Sequence, residues 1–183
     1  MKIAIVNSNA AISVSGGVVQ QGVMWHDGLV KLGHECDLIN FWEDNDWAKY
    51  DWIIILSFGD MFANLIRNLP KINPNIAVAP IIDPKCSKRV YKFFSKYWGA
   101  KKHLGLSSRF HDFYLYGREA KLYLTRSQQE TEYLSECFDI ELNRIEIVPL
   151  SLRLLWLILC QQIRRTSAFI AVALNLPIKM YLV

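Results

Sequence analysis

The chain lacks the features that would assign it at once to a secreted, membrane-spanning or metal-binding class. Its first apolar run, Ile3–Val6, is far shorter than the core of a signal peptide, and no run reaches the roughly 18 apolar residues of a membrane span. The four cysteines lie far apart, with no C-x-x-C pair and no histidine at ligand spacing. We therefore expect a cytoplasmic protein with reduced thiols and no metal site.

Acidic residues are absent from residues 151–183. All 17 Asp and Glu lie in residues 1–150, which are charge-balanced, so the net charge of +4 comes from four cations at the end of the chain: Arg153, Arg164, Arg165 and Lys179. This asymmetry predicts a domain at residues 1–150 and an apolar, basic tail at 151–183. We interpret the tail either as a folded extension that covers the domain or as unrelated sequence that a shifted reading frame or premature stop put in place of a second domain.

Short apolar runs alternate with helical patterns along residues 1–150. They predict strands at 2–7, 37–41, 52–57, 76–82, 122–125 and 145–148, and helices at 18–32, 59–68, 84–98, 105–119 and 127–137. Near-continuous Ile, Val and Leu runs are typical of strands buried on both faces, and strand–helix alternation indicates right-handed crossovers. The sequence therefore predicts an α/β fold, a three-layer Rossmann-like domain with a mostly parallel sheet.

Both common phosphate-binding fingerprints are missing after the first strand. Neither G-x-G-x-x-G nor a P-loop is present there. The loop is long and polar instead, and it ends in Gly16-Gly17 just before a helix. These glycines either serve only the turn or let backbone N–H groups approach a phosphate or a sugar at the start of the helix.

Two blocks of the sequence resemble one known family. In the first block, Gly16-Gly17 is followed by Leu29 and then by Gly33-His34-Glu35-Cys36 and a strand. In the second, Leu122–Ser127 leads into a helix and then into Asn143–Pro149. In this order and spacing, the blocks resemble the N-terminal domain of the family 4 glycosyltransferases, which have the GT-B fold. The resemblance covers residues 1–150.

The resemblance implies a division of labour between two domains. In GT-B enzymes the N-terminal Rossmann-like domain binds the acceptor, and the C-terminal one binds the nucleotide-sugar donor. This chain is then expected to be the acceptor-binding half, inactive alone, with no cofactor of its own and with a donor-binding domain on another chain as partner. The implied reaction is hexosyl transfer to a saccharide or lipid-linked acceptor, in polysaccharide or glycolipid synthesis. The alternative is a non-enzymatic module that holds an acceptor or an anionic lipid.

The sequence departs from the family at two places. Leu150-Ser151 follows Pro149 where the family reads P-N-G-V-D. The E-x(7)-E motif of the donor-binding domain does not occur after Pro149. Ile82-Asp83 stands where the family commonly has His-Asp after the fourth strand. We therefore assign no catalytic role to a residue of this chain on the basis of the family pattern.

Candidate substrate-binding residues lie near the ends of the predicted strands. Asp83 either caps the following helix or accepts a hydrogen bond from a sugar hydroxyl, and it is our only catalytic candidate; Asp60 has the same two interpretations. Ser127 and Glu130 form S-x-x-E, a capping box that starts a helix directly after a strand. The expected substrate-binding set is Gly16, Gly17, Asp60, Asp83 and Ser127.

The predicted helix at 84–98 has a basic face and an apolar face. Its cations fall within about 100° of arc: Lys85, Lys88, Arg89, Lys92 and Lys96. The opposite face carries Val90, Phe93, Phe94, Tyr97 and Trp98. The basic face is either ordinary solvated surface or a contact for an anionic membrane surface or a lipid-diphosphate acceptor. We expect no nucleic-acid partner, because residues 1–150 are charge-balanced and contain no recognition motif.

Two further predictions concern the first helix. Gly33 is expected to end it in a left-handed conformation before the next strand. His26 groups with Val19, Gly22, Val23 and Val30 on the expected sheet-facing side, which favours a buried, hydrogen-bonded histidine.

Overall fold

A computed structural model describes residues 1–7, 17–39, 43–56, 65–82, 86–97 and 109–148. The predictions made for Gly16, Asp60, Asp83, Lys85 and the tail at 151–183 lie outside these residues. The strands are β1 (Lys2–Val6), β2 (Glu35–Ile39), β3 (Trp52–Leu56), β4 (Ile76–Ala79), β5 (Leu122–Thr125) and β6 (Ile145–Ile147). The helices bounded within the described residues are α1 (Gly17–Lys31), α2 (Lys88–Tyr97), α3 (Arg109–Tyr116) and α4 (Gln128–Phe138).

The six strands form one sheet in the order β2-β1-β3-β4-β5-β6, and every neighbouring pair is parallel. The predicted α/β class and parallel sheet are confirmed. β2 begins at Glu35, earlier than predicted, because Glu35 pairs with Lys2 of β1 and its backbone N–H donates to the Met1 carbonyl at 2.9 Å.

The sheet has an apolar core on each face, because successive residues of a strand point to opposite sides. Ala4, Val6 and the alternate residues of β3 and β4 join one core, which α2, α3, α4 and the short 3-10 helix Leu69–Lys71 cover. Ile3, Ile5 and Trp52 join the other core, to which α1 contributes Trp25 and Leu29. Helices on both faces of a parallel sheet are the three-layer Rossmann-like arrangement that the sequence predicts.

The structure tests the two predictions made for α1, the left-handed end at Gly33 and the sheet-facing side that contains His26. Gly33 has φ 82°, so the predicted left-handed helix end is confirmed, and the His34 N–H closes the end by donating to the Leu29 carbonyl at 3.1 Å. The half-buried His26 is hydrogen-bonded as predicted, with Nε2 3.1 Å from the Cys36 carbonyl oxygen. The predicted sheet-facing side was wrong in part: Val23 and Val30 are exposed, because the buried residues of α1 are Gln21, Gly22, Trp25 and Leu29.

Candidate functional site

The strand order reverses at β1, and this reversal locates the candidate site. From β1 the chain moves outward to β2, and from β3 it continues in the opposite direction to β4. In open parallel sheets of this kind, ligands bind in the crevice beyond the carboxyl ends of the two strands at the reversal. Here those strands are β1 and β3. Asn7, which follows β1, and Gly17, the first residue of α1, are the described residues that flank this crevice.

Asn7 carries a buried acceptor, its side-chain Oδ1, that has no hydrogen-bond partner among the described residues. Such atoms are uncommon in folded proteins, and the others in the described part of the chain are Trp25 Nε1 and His34 Nδ1. The side chain packs directly against α1, where a Cβ at position 22 would overlap the Asn7 amide and lie 3.1 Å from Leu56 Cδ1. Gly22 therefore lets α1 approach the ends of β1 and β3. The sequence reasoning missed Asn7, although a polar residue directly after an apolar strand is a signal for it.

The start of α1 is electrostatically suited to an anion or to sugar oxygens. Its first turn contains no acidic residue, so no carboxylate of the helix neutralises the positive end of the helix dipole. Gly17 does not have a left-handed φ, and a Cβ there would meet nothing within 4 Å. A turn therefore does not require glycine at this position. Of the two interpretations of Gly16-Gly17, this favours close approach of a ligand to the backbone at Gly17.

A second polar cluster joins the carboxyl ends of β4 and β5 around Glu130, a residue that is only 2% exposed. Its Oε1 accepts from the Ile82 N–H at 2.5 Å, and its Oε2 accepts from the Arg126 N–H at 2.7 Å. The Arg126 guanidinium lies 3.4 Å from the same Oε2 through Nε and donates from Nη2 to the Ile82 carbonyl at 3.1 Å. A buried carboxylate with these charge-assisted bonds fixes the ends of both strands against each other.

The residue beside this cluster has strained backbone. Ile81 has φ 52°, in the left-handed region that β-branched residues rarely adopt. The hydrogen bonds of Glu130 and Arg126 to Ile82 hold the chain in this conformation directly before Asp83. Strain of this kind persists only where surrounding contacts impose it, and it is concentrated at functional sites.

Ser127 is the N-cap of α4, as the capping box predicts. Its Oγ accepts from the Glu130 N–H at 3.3 Å. The Glu130 carboxylate does not complete the box by returning to the Ser127 N–H, because it bonds the Arg126 and Ile82 backbones instead. The Ser127 hydroxyl is therefore already engaged within α4, and its contact with a substrate stays a prediction.

The cations of α2 divide into two groups. Lys88 Nζ lies 2.7 Å from both Glu132 Oε2 and Glu136 Oε1, and these hydrogen-bonded carboxylates raise the Lys88 pKa above its ordinary value. Lys96 Nζ lies 2.7 Å from Asp139 Oδ2, beyond the end of α4. Arg89 and Lys92 are exposed. Two of the predicted anion-contacting residues thus bind carboxylates of the chain itself.

The predicted apolar face of α2 is not its packed face. The buried residues of α2 are Tyr91 and Ser95, which belong to neither predicted face. Val90, Phe93 and Tyr97 are exposed instead. Lys88 and Lys96 lie toward α4, where they bind the carboxylates of Glu132, Glu136 and Asp139.

In the part of the chain that the structure describes, none of the helices is both long and apolar enough to cross a membrane. No three His, Cys, Asp or Glu side chains in the same residues cluster as a metal site would require.

Comparison with protein-family models, curated proteins and solved structures finds no match for the chain.

Proposed function

We propose that residues 1–150 are the acceptor-binding half of a glycosyltransferase of GT-B architecture. The observation that carries the proposal is Asn7 Oδ1, which has no described hydrogen-bond partner and lies after β1, at the reversal of strand order, against the helix whose first turn contains no acidic residue. A sugar hydroxyl would donate a hydrogen bond to this oxygen, and a second sugar oxygen would accept from backbone N–H groups at the start of α1. The crevice therefore offers the mixed donors and acceptors that a saccharide requires.

The sequence blocks support the same proposal. Gly16-Gly17 lies at the start of α1, and Gly33-His34-Glu35 forms the link from α1 to β2, where the glycosyltransferase pattern has its equivalents. In the complete reaction, an acceptor hydroxyl would attack the anomeric carbon of a hexosyl nucleotide. A donor-binding domain would stabilise the charge that develops on the departing diphosphate.

The first test is turnover by the purified 183-residue chain. We expect no transfer of radiolabelled sugar from UDP-glucose, UDP-N-acetylglucosamine or GDP-mannose to saccharide or polyprenyl-linked acceptors, because the donor-binding domain is supplied separately. Detectable transfer by the chain alone would show that the division between two domains is wrong.

The second test is saccharide binding, followed by ¹⁵N–¹H NMR with glucose, mannose and N-acetylglucosamine disaccharides as probes. We expect the Asn7 side-chain amide and the Gly17 backbone amide to shift. Asn7→Ala should weaken the response about tenfold while changing the free energy of unfolding by less than about 1 kcal/mol, because the deleted acceptor has no partner among the described residues. If no saccharide shifts these signals, the acceptor-binding proposal fails.

The alternative function is a non-enzymatic module that holds an acceptor or an anionic lipid. The exposed apolar residues of α2 favour its lipid form. A neighbouring reading frame that encodes E-x(7)-E would favour the transferase, whereas saccharide or lipid binding in a genome without such a frame would favour the module.

A further inference from the structure

Three exposed residues form a line along α2, and we call them the aromatic stripe: Val90, Phe93 and Tyr97. Their exposures are 40%, 53% and 67%. The spacing i, i+3, i+7 places them on one side of the helix. The Phe93 ring lies 5.9 Å from the Tyr97 ring, centroid to centroid, so the stripe presents a continuous apolar surface to solvent.

The outward direction of the stripe is fixed by contacts on the opposite side of α2. The Tyr91 ring makes edge-on contacts with Phe110 at 5.0 Å and with Tyr133 at 5.2 Å. His111 Nδ1 lies 2.7 Å from the Ser95 carbonyl oxygen. Together with the ion pairs of Lys88 and Lys96, these contacts prevent α2 from rotating to bury the stripe.

The charge that borders the stripe is positive. Arg89 and Lys92 are exposed, and neither forms an ion pair with a described residue. α2 contains no acidic residue. The carboxylates that α2 binds belong to α4 and its C-cap, and it is Lys88 and Lys96 that bind them. The surface therefore combines apolar side chains with cations that have no counter-charge in the described part of the protein.

We propose that α2 docks on the surface of an anionic lipid bilayer, with the aromatic stripe among the headgroups and Arg89 and Lys92 against lipid phosphates. A helix that lies in the membrane interface needs an apolar side and bordering cations, and the two together bind more firmly than either alone. Lys88 and Lys96 take no part, because they bind α4. The proposal does not depend on glycosyl transfer.

A bilayer fits this surface better than a protein partner does. The stripe consists of three side chains on one helix, whereas stable protein interfaces use broad complementary surfaces. A fluid headgroup layer can adapt to a single protruding helix. Binding is therefore expected to be reversible and to weaken at high salt.

The test is co-sedimentation of the full chain with vesicles of phosphatidylcholine, with and without phosphatidylglycerol. We expect binding only when phosphatidylglycerol is present. The double variant Phe93→Ser/Tyr97→Ser should lower the vesicle partition coefficient about tenfold or more, because it removes the apolar contribution. Arg89→Gln/Lys92→Gln should remove the preference for anionic vesicles. Urea unfolding of each variant establishes that the fold is retained.

The control is Leu142→Ser, which removes an apolar side chain that is 63% exposed in the 3-10 helix before β6. It should bind vesicles as the unchanged chain does. The proposal is overturned if the unchanged chain does not bind anionic vesicles, or if the stripe variant and the control bind equally. It is also overturned if the stripe variant abolishes self-association in sedimentation velocity without affecting vesicle binding, since the partner would then be a second copy.

Discussion

Two polar side chains near the carboxyl edge of the sheet differ in how their hydrogen bonds are satisfied. The Glu130 carboxylate accepts from two backbone N–H groups and faces the Arg126 guanidinium, whereas Asn7 Oδ1 accepts from no donor among the described residues. A fully bonded buried carboxylate stabilises the fold, because removing it leaves its donors without partners. An acceptor without a described partner keeps hydrogen-bonding capacity that a ligand hydroxyl would fill. Glu130 is thus structural, and Asn7 belongs to the proposed site.

The structural role of Glu130 predicts a large loss of stability in Glu130→Gln. The glutamine NH₂ group would oppose a backbone donor at a residue that is only 2% exposed, and the charge-assisted bond from the part-buried Arg126 guanidinium would be lost, so we expect the free energy of unfolding to fall by about 2–3 kcal/mol. Urea denaturation followed by circular dichroism measures this change. Glu132→Gln on the same helix is the matched control and should cost less than about 1 kcal/mol, because Glu132 forms a surface ion pair. Equal losses in the two variants would contradict the role.

At the scale of secondary-structure elements, α2 and α4 are joined by ion pairs as well as by apolar contacts. Asp139 is the C-cap of α4 in a left-handed conformation, φ 54°, and its carboxylate binds Lys96 and accepts from the Tyr114 hydroxyl at 3.1 Å. The hydrogen bond from Lys96 is the main cause that lowers the Asp139 pKa below its ordinary value. This carboxylate therefore connects α2, α3 and the end of α4.

The lowered pKa of Asp139 predicts a pH-dependent contribution to stability. The carboxylate stabilises the folded chain above the unfolded-state pKa of about 3.9, and this contribution is lost as the pH falls through the lower folded-state value. Asp139→Asn keeps a residue type that tolerates the left-handed conformation but removes the charge. In urea denaturation, the difference in unfolding free energy between the two proteins should be constant above about pH 5 and shrink toward pH 2.

The control for this measurement is Asp44→Asn, which removes an exposed carboxylate that forms no described ion pair. Its difference from the unchanged chain should stay nearly constant over the same pH range. A similar pH dependence in both variants would show that overall charge, rather than the bond to Lys96, produces the effect.

At the scale of the whole molecule, one sheet supports both apolar cores. Cys36 lies in the core that α1 covers, and Cys137 lies in the core under α2, α3 and α4. Burial is the main cause that raises the pKa of both thiols, that of Cys36 to about 12, and Cys86 is exposed. Chemical labelling of Cys36, Cys137 and Cys86 therefore reports separately on the core under α1, on the core under the other helices and on the exposed surface.

This arrangement predicts that both cores open together. Because β1, β3, β4 and β5 each contribute residues to both cores, losing one core should expose the other. Iodoacetamide labelling in increasing urea, read by peptide mass spectrometry, should modify Cys86 at all concentrations and should modify Cys36 and Cys137 over the same urea range. Labelling of Cys36 at clearly lower urea would show that the α1 face opens independently.

The sequence by itself determined the elements and the class of fold. Runs of Ile and Val defined the strands, Gly33 ended α1 and Ser127 capped α4, because each of these signals depends on neighbours within a few residues. The resemblance also directed attention to the start of α1, whose first turn contains no acidic residue. Its implied activity stays a proposal.

Only the tertiary structure decided which face α2 presents to solvent and which residues Glu130 joins. It also left Asn7 Oδ1 without a hydrogen-bond partner among the described residues. Ile82 is 48 residues from Glu130, and Glu136 is 48 residues from Lys88, so no local pattern contains these contacts. The side of a helix that is buried depends on the charges and shapes that the fold brings against it. In α2 the fold buries Tyr91 and Ser95 and leaves Val90, Phe93 and Tyr97 exposed, an orientation that the helix's own apolar pattern does not specify.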